Sequence, residues 1–257
     1  MLILLTNDDG VYAPGLAAME RELRRHADVC LVAPHFEQSG VGHSITFLSP
    51  LLAHEVFDGD RRRGWSVEGS PADCVKLGIS EFCPRRPDLV VSGINGGLNA
   101  GINVLYSGTV AAAIEGAFFG ITSVAVSLEY EEHAHFNTAA GLAWRVIEQI
   151  LRNKETGELG DSHLYNLNIP TAALVGQPRL KVLPMAATRY GEDFEKRIDP
   201  RGRSYYWATN EPPPPPGEEE TDLTALRRGF MTLTPLNYNM THAAKLAEMQ
   251  RWKIGLD

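Results

Sequence analysis

The chain has 257 residues, of which 44% are hydrophobic and 22% are charged, and its formal net charge is −8 at pH 7. This length suits one large α/β domain, or a domain with an arm, and its core needs no disulfides. Because an acidic chain lacks the basic patches that nucleic-acid backbones require, binding to duplex nucleic acid is not expected. No apolar run approaches the roughly 18 residues of a membrane span, so no membrane association is expected either.

The first residues and the cysteines indicate the cellular location. Residues 1–5 are apolar, but the run is short, lacks a basic flank and is followed by the charged Asp8, unlike a signal peptide. The three cysteines, Cys30, Cys74 and Cys83, are an odd number and show no CxxC spacing. These features favour reduced thiols and a cytoplasmic protein.

The order of the predicted elements favours a doubly wound sheet. Residues 2–5 form an apolar run of strand length, a helix begins near Pro14, and residues 29–33 form a second strand, which together predict a parallel βαβ unit. Residues 44–68 contain no long helix and predict a β-hairpin or an irregular insertion. The βα pattern then returns, with strands over 88–91, 121–126 and 164–169 and helices over about 110–118 and 140–151. We therefore predict an α/β fold with a doubly wound, mostly parallel sheet.

A run of five prolines, residues 212–216, interrupts the second half of the chain. Five prolines hold an extended segment of about 15 Å, which fits either a solvated surface loop or a stiff arm. Beyond it, residues 230–235 predict a strand and residues 239–253 a helix. We divide the chain into an α/β catalytic core, residues 1–211, and a Pro-rich linker with a C-terminal arm, residues 212–257.

The segment Asn7-Asp8-Asp9-Gly10 follows the first predicted strand. In a doubly wound sheet, ligands bind outside the carboxyl ends of the strands. Neighbouring residues of a strand point to opposite faces, so both aspartates reach one site only where the chain turns, and Gly10 permits that turn. Two adjacent carboxylates repel each other and favour a bound cation. The structural alternative is that one of them caps the following helix.

Two further loops offer neutral oxygen ligands. Ser39 follows the second predicted strand, and its neighbouring glycines, Gly40 among them, are typical of backbone opened for a ligand. Asn95 follows the third strand in a loop with four glycines within residues 93–101. Together with Asp8 and Asp9, these residues form an all-oxygen set, which suits Mg²⁺, Mn²⁺ or Ca²⁺ rather than zinc.

Ser107, Gly108 and Thr109 directly precede a predicted helix. Ser107 or Thr109 is placed to cap this helix, and the free N–H groups of its first turn form an anion site. The two roles are compatible.

Three other polar residues allow both a chemical and a structural role. His35 and His43 are of the type that acts as acid or base, but no partner is visible in the sequence, and the alternative is that they are polar loop residues. Asp73 lies in the first turn of a predicted helix, where a negative charge stabilises the helix dipole.

Taken together, these motifs resemble the SurE family, whose members are nucleotidases acting on nucleoside 5′- or 3′-monophosphates. The resemblance rests on the segments ILLTNDDGVYAPGL, APHFEQSGVGHSIT, GSPADCVKLG, VVSGINGGLNAG, YSGTVAAAIEG and LNIP, in this order. It runs from residue 2 to about residue 170 and resumes at residues 221–222 and 233–236. It implies a Rossmann-like α/β core that holds one divalent metal, and homodimers or homotetramers formed by exchange of C-terminal arms.

The resemblance also implies roles for particular residues. The family's metal ligands fall on Asp8, Asp9, Ser39 and Asn95, the set already derived from the residues. The segment Ser107 to Thr109 falls where the family places loop residues beside the phosphate.

The sequence therefore predicts a metal-dependent phosphomonoesterase that converts nucleoside monophosphates into nucleoside and phosphate. Asp8 and Asp9 hold the metal, while Asn95 and the helix N-terminus stabilise the phosphate oxygens.

Two alternatives stay open: an aspartyl-phosphate phosphatase with Asp8 or Asp9 as covalent nucleophile, and a nucleotide-binding regulatory module without turnover. The adjacency of the aspartates, in place of DxD spacing, argues against the first. The repulsion between these carboxylates and a phosphate argues against the second.

Overall fold

The structure is a computed structural model that describes residues 1–155, 164–187, 192–210 and 219–252. Its strands are β1 (Leu2–Thr6), β2 (Asp28–Pro34), β3 (Ala53–Asp58), β4 (Arg61–Val67), β5 (Leu89–Gly96), β6 (Thr122–Leu128), β7 (Leu164–Ile169), β8 (Leu180–Val182), β9 (Glu192–Ile198), β10 (Ser204–Asn210) and β11 (Met231–Pro235). Its α-helices are α1 (Pro14–Leu23), α2 (Pro71–Leu77), α3 (Gly108–Phe118), α4 (Phe136–Glu155), α5 (Asp222–Leu226) and α6 (Ala243–Met249).

Nine strands form one sheet in the order β3-β4-β2-β1-β5-β6-β7-β11-β8, and β9 and β10 form a separate antiparallel pair. The pairings from β4 through β7 are all parallel. Helices α1 and α4 pack together on one face of the sheet, and α2 and α3 pack together on the other. The predicted doubly wound α/β fold is confirmed.

The first βαβ unit forms for the reasons that predicted it. All five residues of β1 are buried, and burial of each large aliphatic side chain stabilises the fold by roughly 1.5–3 kcal/mol. Pro14 stands in the first turn of α1, where its missing N–H costs nothing. The apolar side chains at helical spacing along α1 are buried against the sheet: Leu16, Met19 and Leu23.

The insertion between β2 and α2 is a β-hairpin, as predicted. Strands β3 and β4 pair antiparallel, and β4 also pairs parallel with β2, so the hairpin extends the main sheet. Directly after it, Ser70 and Asp73 form a reciprocal capping box at the start of α2. The structural role that the sequence allowed for Asp73 is therefore confirmed.

The C-terminal segment contributes a strand to the same sheet. The predicted strand is β11, which pairs antiparallel with β7 and parallel with β8. The proline run and the division placed after Glu211 lie outside the described residues. Helix α6 is shorter than the helix predicted over residues 239–253, and all its residues are exposed. Within the described ranges, no helix is long and apolar enough to cross a membrane.

Candidate active site

The chain turns sharply where β1 ends. Gly10 has φ +99°, a conformation that side chains other than glycine rarely adopt, and the Asn7 side-chain amide donates to the Gly10 carbonyl at 3.0 Å. A Cβ atom on Gly10 would also lie 3.4 Å from the Phe36 carbonyl carbon. This turn holds Asp8 and Asp9 just outside the carboxyl end of β1.

Asp8 is buried against the start of α3. Its side chain accepts a hydrogen bond from the Thr109 hydroxyl at 2.5 Å, and the residue is only 4% exposed. The contact requires glycine at position 108, because a Cβ there would lie 2.9 Å from the Asp8 Cβ. Burial raises the pKa of the Asp8 carboxyl, and the hydrogen bonds from Thr109 oppose that rise only in part.

Asp9 is more accessible than Asp8, but its surroundings also disfavour the ionised form of its carboxyl group. Its carboxylate accepts from the Gly96 backbone N–H at 3.3 Å. Burial, and next the charge of Asp8, raise the pKa of Asp9 to about 6. In the part of the chain that the structure describes, no lysine, arginine or histidine pairs with either carboxylate.

Asn95 lies near the end of β5, the neighbour of β1. Its side-chain amide nitrogen donates to the Gly97 carbonyl at 2.7 Å, which orients the side chain and leaves Oδ1 as its accepting atom. The next residue, Gly96, donates to Asp9. The end of β5 and the carboxylate pair are therefore joined directly.

Ser39 lies on the loop after β2. Its hydroxyl donates to Glu37 Oε1 at 2.6 Å, and the Gln38 N–H donates to the Asp8 carbonyl at 2.7 Å. The charge of Glu37 also contributes to the raised pKa of Asp8 and Asp9. The loop is thus attached to the carboxylate segment, while the hydrogen-bond partner of the Ser39 hydroxyl is Glu37.

The N-terminus of α3 closes the site. Of the two predicted caps, Ser107 is the one that acts, because its hydroxyl accepts from the Val110 N–H at 3.1 Å. Thr109 donates to Asp8 instead. Gly40, with φ +71°, lies on the Ser39 loop, and that loop reaches the α3 start through a hydrogen bond from the Gly42 N–H to the Tyr106 carbonyl at 3.0 Å.

These groups fit a hard cation with oxygen ligands. The two carboxylates are crowded and have no cationic partner in the described ranges, and a bound cation would reverse the rise in their pKa. Asn7 Oδ1, beside them, is buried and has no hydrogen-bond partner among the described residues. The described residues contain no group of three or more His, Cys, Asp or Glu side chains that fits a metal. Neutral oxygens such as those of Ser39 and Asn95 would therefore complete the ligand set.

Sequence reasoning missed a buried polar network behind the site. Asn166 and Asn168 of β7 each donate to the Asn99 carbonyl, at 2.7 and 3.0 Å, and Asn168 also accepts from the Asn99 N–H at 2.8 Å. The Asn99 side chain donates to Ser127 and approaches the Thr109 hydroxyl at 3.4 Å. The network thus fixes the loop that supports the partner of Asp8. Two asparagines inside a strand of otherwise apolar character were the available signal.

The two histidines have partners that are not site carboxylates. His43 Nε2 lies 2.8 Å from Oε2 of the buried Glu115, and its ring stacks on Phe118. His35 Nδ1 lies 2.8 Å from the Ser66 hydroxyl. Both contacts hold the loop that follows β2.

The class of protein follows from this arrangement: a doubly wound α/β protein whose carboxyl edge combines paired carboxylates with the N-terminus of a helix. A family model described as survival protein SurE matches residues 3–195. The chain belongs to the SurE family, which confirms the resemblance found in the motifs.

Relatives match over almost the whole chain. A protein of Rhodopirellula baltica named 5′-nucleotidase SurE is 56% identical over 255 residues, 99% of this chain and 99% of that protein. A protein of Heliobacterium modesticaldum with the same name is 40% identical over 256 residues, 99% of this chain and 93% of that protein. The crystal structure of the SurE protein from Aquifex aeolicus superposes with a TM-score of 0.84 at 35% identity, covering 97% of this chain and 98% of that one.

Proposed function

We propose that this chain is a divalent-metal-dependent nucleotidase that hydrolyses nucleoside 5′- or 3′-monophosphates to nucleoside and phosphate. Membership of the SurE family, with relatives named 5′-nucleotidase, supports the reaction. One observation carries the assignment of the site. Asp8 and Asp9 lie side by side at the carboxyl end of β1, with raised pKa values and no cationic side chain paired to them among the described residues.

In this proposal, Asp8 and Asp9 hold the cation, and Ser39 and Asn95 add neutral oxygens. A Mg²⁺ or Mn²⁺ held by these residues, with Ca²⁺ as an alternative occupant, would supply Lewis acidity and would lower the pKa of water in the site. The Thr109 hydroxyl keeps the Asp8 carboxylate in one orientation through the bond to Oδ1. The Gly97 carbonyl does the same for Asn95.

The substrate phosphate is assigned to the space between these ligands and the start of α3. Ser107, Gly108 and Thr109 place the positive end of the helix dipole at this edge, and Asn95 and the backbone around Gly40 line the same space. Such fixed dipoles stabilise the charge that develops on phosphoryl oxygens during transfer. The close fit of Gly108 to Asp8 brings the anion-binding and cation-binding groups together.

The first test removes the metal. Chelation of the purified protein, with metal content checked by elemental analysis, should abolish phosphate release from a panel of nucleoside monophosphates. Mg²⁺ or Mn²⁺ should restore it. Full activity in verified metal-free protein would overturn the proposal.

A second test separates direct water attack from a phosphoryl-aspartate. Asp8 is buried and hydrogen-bonded, and it adjoins Asp9, which supports a role for both carboxylates in binding the cation rather than in attacking phosphorus in line. We expect inversion at a chiral phosphate and no covalent intermediate after rapid acid quench. Retention, or a labelled acyl-phosphate peptide covering residues 7–10, would favour the aspartyl-phosphate alternative.

We also propose a homodimer or homotetramer formed through the C-terminal arm. After β11, large apolar side chains of this segment lie exposed, among them Met240, Leu246 and Trp252. Because β11 belongs to the main sheet, the informative truncation ends at Asn239, after that strand. Light scattering should show fewer subunits for this truncated chain. An unchanged subunit count would place the contact elsewhere.

A further inference from the structure

Beside the carboxylate pair lies a cleft that the assignments above do not use. Its volume is about 280 Å³, and it is formed by the carboxyl ends of β2 and β4 and the loop after β2. Pockets for small molecules begin at roughly 300 Å³, so this cleft suits one partly enclosed group of nucleoside size. Its walls include His35, Phe36, Gln38, Ser44, Thr46 and Glu68.

Two residues that line the cleft contact the segment that carries the carboxylate pair. Gln38, which lines it, donates its backbone N–H to the Asp8 carbonyl at 2.7 Å. Phe36, which also lines it, packs its backbone against Gly10, whose added Cβ would lie 3.4 Å from the Phe36 carbonyl carbon. A substrate with its phosphate at the carboxylate pair therefore has the cleft beside it for the group that carries the phosphate.

The cleft walls are fixed before any ligand binds. The Thr46 N–H donates to both oxygens of Asp73 at 3.1 Å, and the Ser70 hydroxyl donates to the Ser44 carbonyl at 2.7 Å. The His35 N–H donates to the Val67 carbonyl at 2.7 Å, which joins the ends of β2 and β4. A preformed cleft keeps the ordering cost of binding low.

The side chains offer the groups that recognise a nucleoside. Phe36 is 69% exposed although it is a large aromatic residue, and its ring meets His35 edge to face at 4.3 Å. Exposed aromatic rings of this kind stack on bases whatever the base is. Glu68 presents a carboxylate whose described partner is the half-exposed His54 at 3.1 Å. An acidic side chain after a neighbouring strand is a common acceptor for ribose hydroxyls in doubly wound folds.

We propose that this cleft is the nucleoside subsite, in which Phe36 stacks on the base and Glu68 accepts hydrogen bonds from the ribose hydroxyls. The inference rests on the proposed nucleotidase function and adds the substrate-recognition residues to it. Because the base is recognised by stacking, the subsite accepts purines and pyrimidines alike.

The test compares three phosphomonoesters that lose one recognised group at a time: AMP, ribose 5-phosphate and ethyl phosphate. For Phe36→Ala, KM for AMP should rise roughly tenfold, with kcat little changed, so the ratio of kcat/KM for AMP to that for ribose 5-phosphate falls by the same factor. For Glu68→Gln, the ratio of kcat/KM for ribose 5-phosphate to that for ethyl phosphate should fall severalfold. Phe57→Ala, at a half-exposed phenylalanine of β3 outside the cleft, is the matched control.

A binding measurement without turnover completes the test. Adenosine, titrated calorimetrically into chelated protein, should bind the wild type and the Phe57→Ala control, and roughly tenfold more weakly Phe36→Ala. Equal loss of activity on all three esters, or unchanged AMP kinetics in both cleft variants, would overturn the subsite. Failure of the wild type to release phosphate from any ester with Mg²⁺ or Mn²⁺ would instead overturn the nucleotidase proposal, and the subsite with it.

Discussion

Two buried aspartates in this molecule are held in opposite ways. Asp222 is fully buried, and each of its oxygens accepts hydrogen bonds from the backbone. Its donors are the N–H groups of Gly101, Ala186 and Leu223, at 2.7, 2.9 and 2.7 Å. Asp8 is buried almost as deeply, but it lies next to a second carboxylate, and burial raises its pKa.

The comparison distinguishes Asp222, a structural carboxylate, from Asp8, a carboxylate suited to binding a ligand. Asp222 joins the loop after β5 to the segments around α5, and its charge is satisfied by the fold itself. Asp8 and Asp9 keep an electrostatic cost that the fold does not remove. Perturbed pairs of this kind cluster at functional sites, because a bound ion or substrate supplies the missing partner. The same residue type therefore has opposite consequences for stability and activity.

The largest expected effect is on catalysis. Asp8→Asn and Asp9→Asn should each lower kcat/KM for a nucleoside monophosphate by roughly 10³-fold, about 4 kcal/mol, because each removes negative charge from the cation site. Steady-state phosphate release at high Mg²⁺ measures this. Asp222→Asn, which retains one acceptor oxygen, is the control and should lose far less activity. An equally large loss of kcat/KM in Asp222→Asn would contradict the distinction between the structural Asp222 and the site carboxylates.

The second effect is on stability. Asp222→Ala leaves three backbone N–H groups without their acceptor and should lower the free energy of unfolding by about 3 kcal/mol. Urea denaturation followed by circular dichroism measures the loss. Asp222→Asn should lose a smaller part of it. Wild-type stability in Asp222→Ala would mean that water replaces the carboxylate without cost.

The third effect is a dependence of stability on pH in the metal-free protein. Because the pKa of Asp9 is raised from 3.8 to about 6, the folded state binds more protons than the unfolded state between these values. This contribution to stability is present below about pH 4 and is lost as the pH rises through about 6. Between about pH 5 and 7.5 the chelated protein should lose about 1 kcal/mol from this group.

Asp9→Asn isolates that contribution. The variant should be more stable than the wild type in chelator at about pH 7.5, and the difference should shrink at about pH 5. Saturating Mg²⁺ should stabilise the wild type and remove the difference. The opposite result, in which the wild type in chelator gains stability relative to the variant as the pH rises, would contradict the prediction. It would show that the folded protein stabilises the ionised Asp9 carboxylate without a cation.

The sequence allowed prediction of features that a local pattern marks, but not of contacts between residues that are distant in the chain. Asp8, Asp9 and Asn95 were predicted as site residues because they follow apolar runs, and the parallel pairing of β1 with β5 brings the ends of these strands together. The hairpin of β3 and β4 was one of two structures predicted for residues 44–68 from the absence of a long helix. The hairpin of β9 and β10 was not predicted. The role of Asp222 was also missed, since its bond to Gly101 joins residues 121 apart in sequence and no local pattern encodes it.

The smallest effects are expected at the neutral ligands, Ser39 and Asn95. Removal of a neutral oxygen keeps the charge of both carboxylates, so the Coulomb attraction for the cation is retained. Ser39→Ala and Asn95→Ala should therefore shift the metal concentration for half-maximal activity upward by roughly tenfold, about 1.4 kcal/mol. High metal should then restore activity to within severalfold of the wild type. If high metal leaves either variant as inactive as Asp8→Asn, the residue that was changed does not act as a metal ligand. For Asn95, whose amide nitrogen is already held by Gly97, the remaining role is then contact between Oδ1 and the reacting group itself.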